Sequence, residues 1–347
     1  MKHLQRFRLF LPIISVLWLL AFLFAFGCSG ENQEAPAAGT QTESPSEGPS
    51  SGDSPSQGAS SGDKPITITL AGASDVGDLN PHLSSAAAYA QDFLYDGLVT
   101  SSSGKIIPAL AESWEVSEDG KELVFHLRKG VKFSDGSDFN ANDVKRNFDA
   151  VLSHREDYNW MGLVNSLDAY EVVDGETFKI TLKEPYYAAL LELSTGRPFR
   201  FLAQAGFLDD GTSVNGIKAP IGTGKWKLYE HVDGEYVTFS RNEHYWGDPP
   251  KLDGFTIRVI PKGETAVASL KAGEVDMIYD SFESELMNIG NFETFVQDPN
   301  YVTFVSGPMF TRLMTLNTTR TPLDDIRVRQ AIALALDRQA LVENVFG

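Results

Sequence analysis

Three runs decide how this chain reads: RPFRF at Arg197–Phe201, NGIKAPIGTGKW at Asn215–Trp226 and RNEHYWG at Arg241–Gly247. An arginine-proline-aromatic cluster is followed by a glycine-rich bend and a polar-aromatic turn, with short strand-like runs between them. Such a mixture displays cationic and aromatic groups on a rigid surface. It suits recognition of a small anionic or planar ligand and implies no catalysis. IGTGKW at Ile221–Trp226 is not a phosphate loop. Ala219 stands where the first glycine belongs, and Trp226 where a serine or threonine must hold magnesium. A tight turn ahead of a strand is expected there.

Working outward, period-two alternation predicts strands at Ile66–Leu70, across ELVFHLR with Leu123, Phe125 and Leu127 on one face, and at Thr177–Leu182, Tyr236–Ser240 and Phe255–Ile260. VDMIYD, ending at Asp280, reads as a short buried strand. Helical spacing predicts Ala86–Leu94, Asn142–Leu152, a run up to Leu193, and Glu264–Ala272 closed by Gly273. TPLDDIRVRQAIALALD at Thr321–Asp337 predicts a helix capped near Asp324, with Asp337 capping a second that runs to Val345. Strands alternating with helices predict an α/β fold.

The six histidines are scattered without helical pairing. His82, in the turn GDLNPHL, has no second metal-ligating residue at a suitable spacing, so it is expected to be a hydrogen-bonded structural histidine. Asp135 and Asp138 lack the acidic ladder of a calcium loop and are expected to form a turn and helix cap. There is no G-x-S-x-G or H-E-x-x-H motif, and an enzyme is not expected. The net charge of −18 argues against binding nucleic acid.

At the N-terminus, Lys2, Arg6 and Arg8 precede the apolar run Leu9–Phe26, so Met1–Gly27 reads as a signal peptide. Cys28, the single cysteine, follows directly and is expected to carry a lipid, which would anchor the chain to the outer face of the cell membrane. An uncleaved membrane span of about 18 residues is the alternative. Ser29–Pro65 contains no large apolar residue and is expected to be a disordered tether or spacer.

The order RPFRF, NGIKAPIGTG-x-W, RNEHYWG, followed by IPKGETAVASLKAGEVDMIY at Ile260–Tyr279, resembles the extracytoplasmic solute-binding proteins of peptide and nickel ABC transporters, and within them the nickel-binding branch. LAESWEVSEDGKELVFHLRKGVKFSDG at Leu110–Gly136 marks the wider family. The resemblance implies a two-lobed, type II periplasmic-binding fold. Its first lobe would span 66–305, with an extra α/β subdomain at about 108–200. Its second would begin at 306 and be incomplete at Gly347, where family members continue.

The resemblance also implies the ligand residues. A tryptophan matching Trp160 lines the cleft in the nickel-binding proteins, and an arginine matching Arg197 contacts the carboxylate of a bound metal chelate. Planar guanidinium suits that contact because it can donate two parallel hydrogen bonds. Where those proteins carry a tyrosine and a methionine, this chain has Ser84, Ser85 and Ala86–Ala88, with Tyr89 the nearest aromatic. The pocket is therefore expected to be wider, with room for a metallophore or a peptide. No residue here matches the family's metal-binding histidine, so no metal ligand is assigned. No cofactor is expected. The expected partners are a permease and ATPase complex and a small ligand, nickel as a chelate or alternatively an oligopeptide. A receptor that only reports its ligand is a further reading.

Overall fold

In the computed structural model, residues 65–83, 88–213, 215–279, 286–306 and 313–342 are described. The expectations for Met1–Lys64 (Cys28 included) and for Ser84–Ala87, Val345 and Gly347 lie outside them.

The chain enters through β1 (Thr67–Gly72) and α1 (Ala88–Leu94), then a hairpin of β2 (Val99–Ser102) and β3 (Lys105–Pro108). A four-stranded antiparallel sheet follows. It is built from β4 (Ala111–Val116), β5 (Glu122–Leu127), β6 (Leu167–Asp174) and β7 (Thr177–Leu182) in the order β4-β5-β7-β6. β5 and β7 both alternate between half-buried and buried residues, as their sequences predict. Between β5 and β6 run α2 (Ala141–Ser153) and the short α3 (Gly162–Ser166).

α2 starts where it does because of Asn140. Its side chain accepts from Asn142 N, and Asp143 reaches back to Asn140 N in a capping box. The expected cap from the FSDGSDF turn is thereby corrected. Asp135 closes its own turn through Ser137, and Asp138 pairs with Lys132. The buried face of α2, Val144, Phe148 and Val151, covers the sheet, and the Phe148 ring meets Phe178 and Phe199 at 5.1 and 4.6 Å. Ring pairs at such spacing add about 0.5–1.5 kcal/mol beyond burial.

α4 (Ala189–Leu193) leads to the RPFRF run, whose Arg197–Pro198 bond is cis. Then come β8 (Trp226–Val232), β9 (Tyr236–Arg241), β10 (Gly254–Val259), α5 (Gly263–Ala272) and β11 (Met277–Ile278). With β1 they form a mixed five-stranded sheet in the order β11-β1-β10-β9-β8, where β1 runs parallel to both neighbours. Phe93 of α1 packs edge-on against Phe239 and Phe255, which joins the helix to this sheet. Gly273 ends α5 at φ +73°, the left-handed conformation that favours glycine at a helix stop.

One expectation changes. The VDMIYD strand is two residues long and lies at the sheet edge, with Met277 43% exposed, because among the described residues it pairs with β1 alone. The later helix, α6 being Ile289–Gln297, is α7 (Ile326–Ala335), and Asp325, beside Asp324 as expected, caps it by accepting from Arg327 N. Asp337 caps α8 (Arg338–Leu341) as expected. Neither α7 nor α8 buries a residue among those described, and Leu334 is 88% exposed.

Candidate ligand-binding site

The loop between β1 and α1 is pinned from several sides. Asn80 donates to Ser213 O and accepts from His82 N, and Tyr95 donates to Leu79 O. His82 is buried, with Nδ1 2.8 Å from Ser213 Oγ and Nε2 2.7 Å from Asn147 Oδ1, and its ring stacks on Phe207. Burial holds its pKa down to about 4. His82 is thus the hydrogen-bonded structural histidine that the sequence implies. The partners that satisfy it, 65 and 131 residues away, could not be read from spacing.

Beyond this loop, Tyr89 on α1 packs against Phe93 and Tyr279, and its hydroxyl lies 3.4 Å from Ser74 O. Ser74 follows the carboxyl end of β1 and Tyr279 that of β11. The region outside the carboxyl ends of parallel strands is where open α/β sheets take ligands.

The loop is also tied to the segment that carries Trp160. Tyr158 is fully buried and donates to His82 O at 2.6 Å. Burial pushes its hydroxyl pKa up, and the nearby Arg197 charge works against that shift. Trp160, two residues on, is 65% exposed, so it is not the core-edge residue that a tryptophan after a charged loop would usually be. Its turn is held by Glu192, which accepts from Gly162 N and Leu163 N at the start of α3 and from Tyr186 Oη. Tyr158, the buried residue between the two, carries no motif and is legible only in three dimensions.

The two arginines of RPFRF part company. Arg200 is 5% exposed and pairs with Asp92 of α1 at 2.7 Å, a structural tie. Arg197 is half-buried. An open, polar cavity of about 700 Å³ is lined by Ser153, His154, Arg155 and Asp157 among others. Trp160, Arg197 and Tyr89 do not line it.

The glycine-rich bend has a cause other than phosphate or a simple reversal. A Cβ on Gly222 would lie 2.0 Å from Leu94 O, and one on Gly224 would lie 2.5 Å from Phe93 O. Only glycine lets this segment press against the end of α1, where Gly224 N donates to Leu94 O.

A further trio, Asp75, His231 and Asp233, has its ligand atoms within 4.8 Å of one another. It brings together the segment after β1 and the β8–β9 hairpin, and no sequence motif announces it.

Residues 105–347 match the model of bacterial extracellular solute-binding proteins, family 5. The chain belongs to this family. It is 40% identical over 279 residues to the nickel-binding periplasmic protein of Escherichia coli, covering 80% of this chain and 53% of that protein. The NikA structure from Brucella suis in complex with Fe(III)-EDTA superposes with a TM-score of 0.75 at 42% identity, covering 80% of this chain and 56% of that one. The dipeptide-binding protein of E. coli is 29% identical over 276 residues, covering 73% of this chain and 50% of that protein. The chain spans about half the length of these relatives. The family's solved members are two-lobed, type II binding proteins and not enzymes, in agreement with the expected α/β class. Among the described residues, no helix is long and apolar enough to cross a membrane.

Proposed function

We propose that this chain is the substrate-binding component of an ABC importer that captures nickel as a metal chelate outside the membrane and delivers it to a permease and ATPase complex. Cys28 would carry the lipid that tethers it, and Ser29–Pro65 would give the tether its reach. The observation that carries the reading is the division of labour in RPFRF. Arg200 pairs with Asp92, and half-buried Arg197 brings its charge near Tyr158, two residues before the exposed Trp160. A guanidinium and an exposed indole are fitting groups to receive a carboxylate-bearing chelate. NikA, similar at 42% identity, was solved with such a complex, Fe(III)-EDTA. Tyr89, next to Tyr279 and Ser74, would complete the lining. Closure of two lobes about a hinge would enclose the ligand.

An oligopeptide ligand is the second reading. It is favoured by the small residues Ser84–Ala88 and by the similarity to a dipeptide-binding protein.

A tryptophan-fluorescence titration of the full-length protein separates the two. Nickel alone, nickel with a polycarboxylate or histidine, and a short peptide are compared, in wild type and in Arg197→Ala. Saturation by the chelate, weakened at least tenfold in the variant, is expected. Saturation by peptide regardless of metal would move the protein to the peptide branch, and unchanged chelate affinity in the variant would remove Arg197 from the site.

A further inference from the structure

We propose that Asp75, His231 and Asp233 form a second metal site, for a divalent first-row transition ion, on the five-stranded sheet. The groups arrive from two segments. Asp75 follows β1, His231 is near the end of β8, and Asp233 opens the β8–β9 turn. They are 156 residues apart in sequence, yet His231 Nε2 lies 2.7 Å from Asp75 Oδ1. Gly77 N donates to Oδ1 of Asp75 at 2.8 Å and Gly234 N to Oδ2 at 2.6 Å, so two loops hold the carboxylate in place. Asp75 and His231 are mostly buried, while Asp233 is exposed at the rim, which leaves an open side for water ligands.

The donor set selects the ion. One imidazole with two carboxylates suits zinc, nickel, copper or cobalt, whereas calcium needs six to eight oxygens. Two donors each about 2.1 Å from one ion at a right angle stand about 3 Å apart. The 2.7 Å pair therefore needs to open by only a few tenths of an ångström. On binding, His231 would coordinate through Nε2 and keep its proton on Nδ1. The proton through which Nε2 now meets Asp75 would leave to solvent as the metal binds. The site does not depend on Arg197 or on the nature of the transported ligand. It neighbours the Tyr89 region through Ser74, the residue before Asp75.

The test is titration of the full-length protein with cobalt(II) chloride and with nickel(II) chloride, without chelator, followed by calorimetry and by cobalt visible absorption. One equivalent with an imidazole-ligated spectrum is expected. Asp233→Asn should weaken it at least tenfold, and His231→Gln should abolish it. Glutamine can still donate to Asp75, so the fold is retained while the nitrogen ligand is lost. Arg197→Ala should leave this equivalent intact even where chelate binding fails, which separates the site from the transport reading. Weak binding at several equivalents, unchanged in His231→Gln, would mean ions scattered over an acidic surface and would overturn the proposal.

Discussion

The hydroxyl of Tyr158 donates to the backbone carbonyl of His82 across 2.6 Å, which ties the turn that carries Trp160 to the loop that leads into α1. Both residues are buried, so neither group can fall back on water. Two parts of the candidate site, far apart in sequence, are registered through this one bond.

Replacing Tyr158 by phenylalanine removes the hydroxyl and leaves a buried carbonyl unsatisfied, at a cost of about 1–3 kcal/mol. Urea denaturation should show a lower midpoint with an unchanged slope. If the bond also sets the site, ligand affinity should fall although Tyr158 does not itself face the ligand. An unchanged midpoint would show that the bond contributes nothing.

His82 should make the fold sensitive to acid. Its folded pKa, about 4, lies below the unfolded value of about 6.5, so below pH 6.5 the unfolded chain binds a proton that the folded chain refuses. The stability this residue contributes is complete above pH 6.5. It is lost progressively as the pH falls toward 4, by at most about 3 kcal/mol. Stability measured from pH 4 to 7 in wild type and in His82→Gln should give a flatter profile in the variant. Parallel profiles would count against this assignment.

Gly222→Ala should be among the most damaging small substitutions, because its methyl would meet the Leu94 carbonyl and the Tyr95 ring, at 2.0 and 2.5 Å. Several kcal/mol is expected, since backbone must move. Gly175→Ala is the matched control, with nothing within 4 Å of the added carbon. Thermal melts of the pair should differ widely. Equal melting temperatures would show that the α1 end yields easily.

Legibility in the sequence followed burial. β5 and β7 alternate because each has one face on the core and the other half-exposed, and their period-two pattern is plain. β6 and β8 show no such regular pattern; both carry register shifts in their pairing, and neighbouring strands hold them in place. α2 and α5 were legible from periodicity and end signals, down to the stop at Gly273. The cap of α7 is legible only to the pair Asp324–Asp325, since adjacent aspartates offer the same chemistry and geometry chooses Asp325.

For the site, the resemblance to nickel-binding proteins points to Trp160 and Arg197, with Tyr89 as the nearest aromatic to a missing tyrosine, because such matches are carried by single residues in short motifs. Pairing is a different matter. That Arg200 is occupied by Asp92 and Arg197 is half-exposed, that His82 is satisfied by Asn147 and Ser213, and that Asp75 meets His231 all depend on contacts across 65 to 156 positions. Residue type and short-range period follow from the chain's covalent order. Which charged and polar groups spend their capacity on one another follows only once the sheets bring distant segments within hydrogen-bond reach.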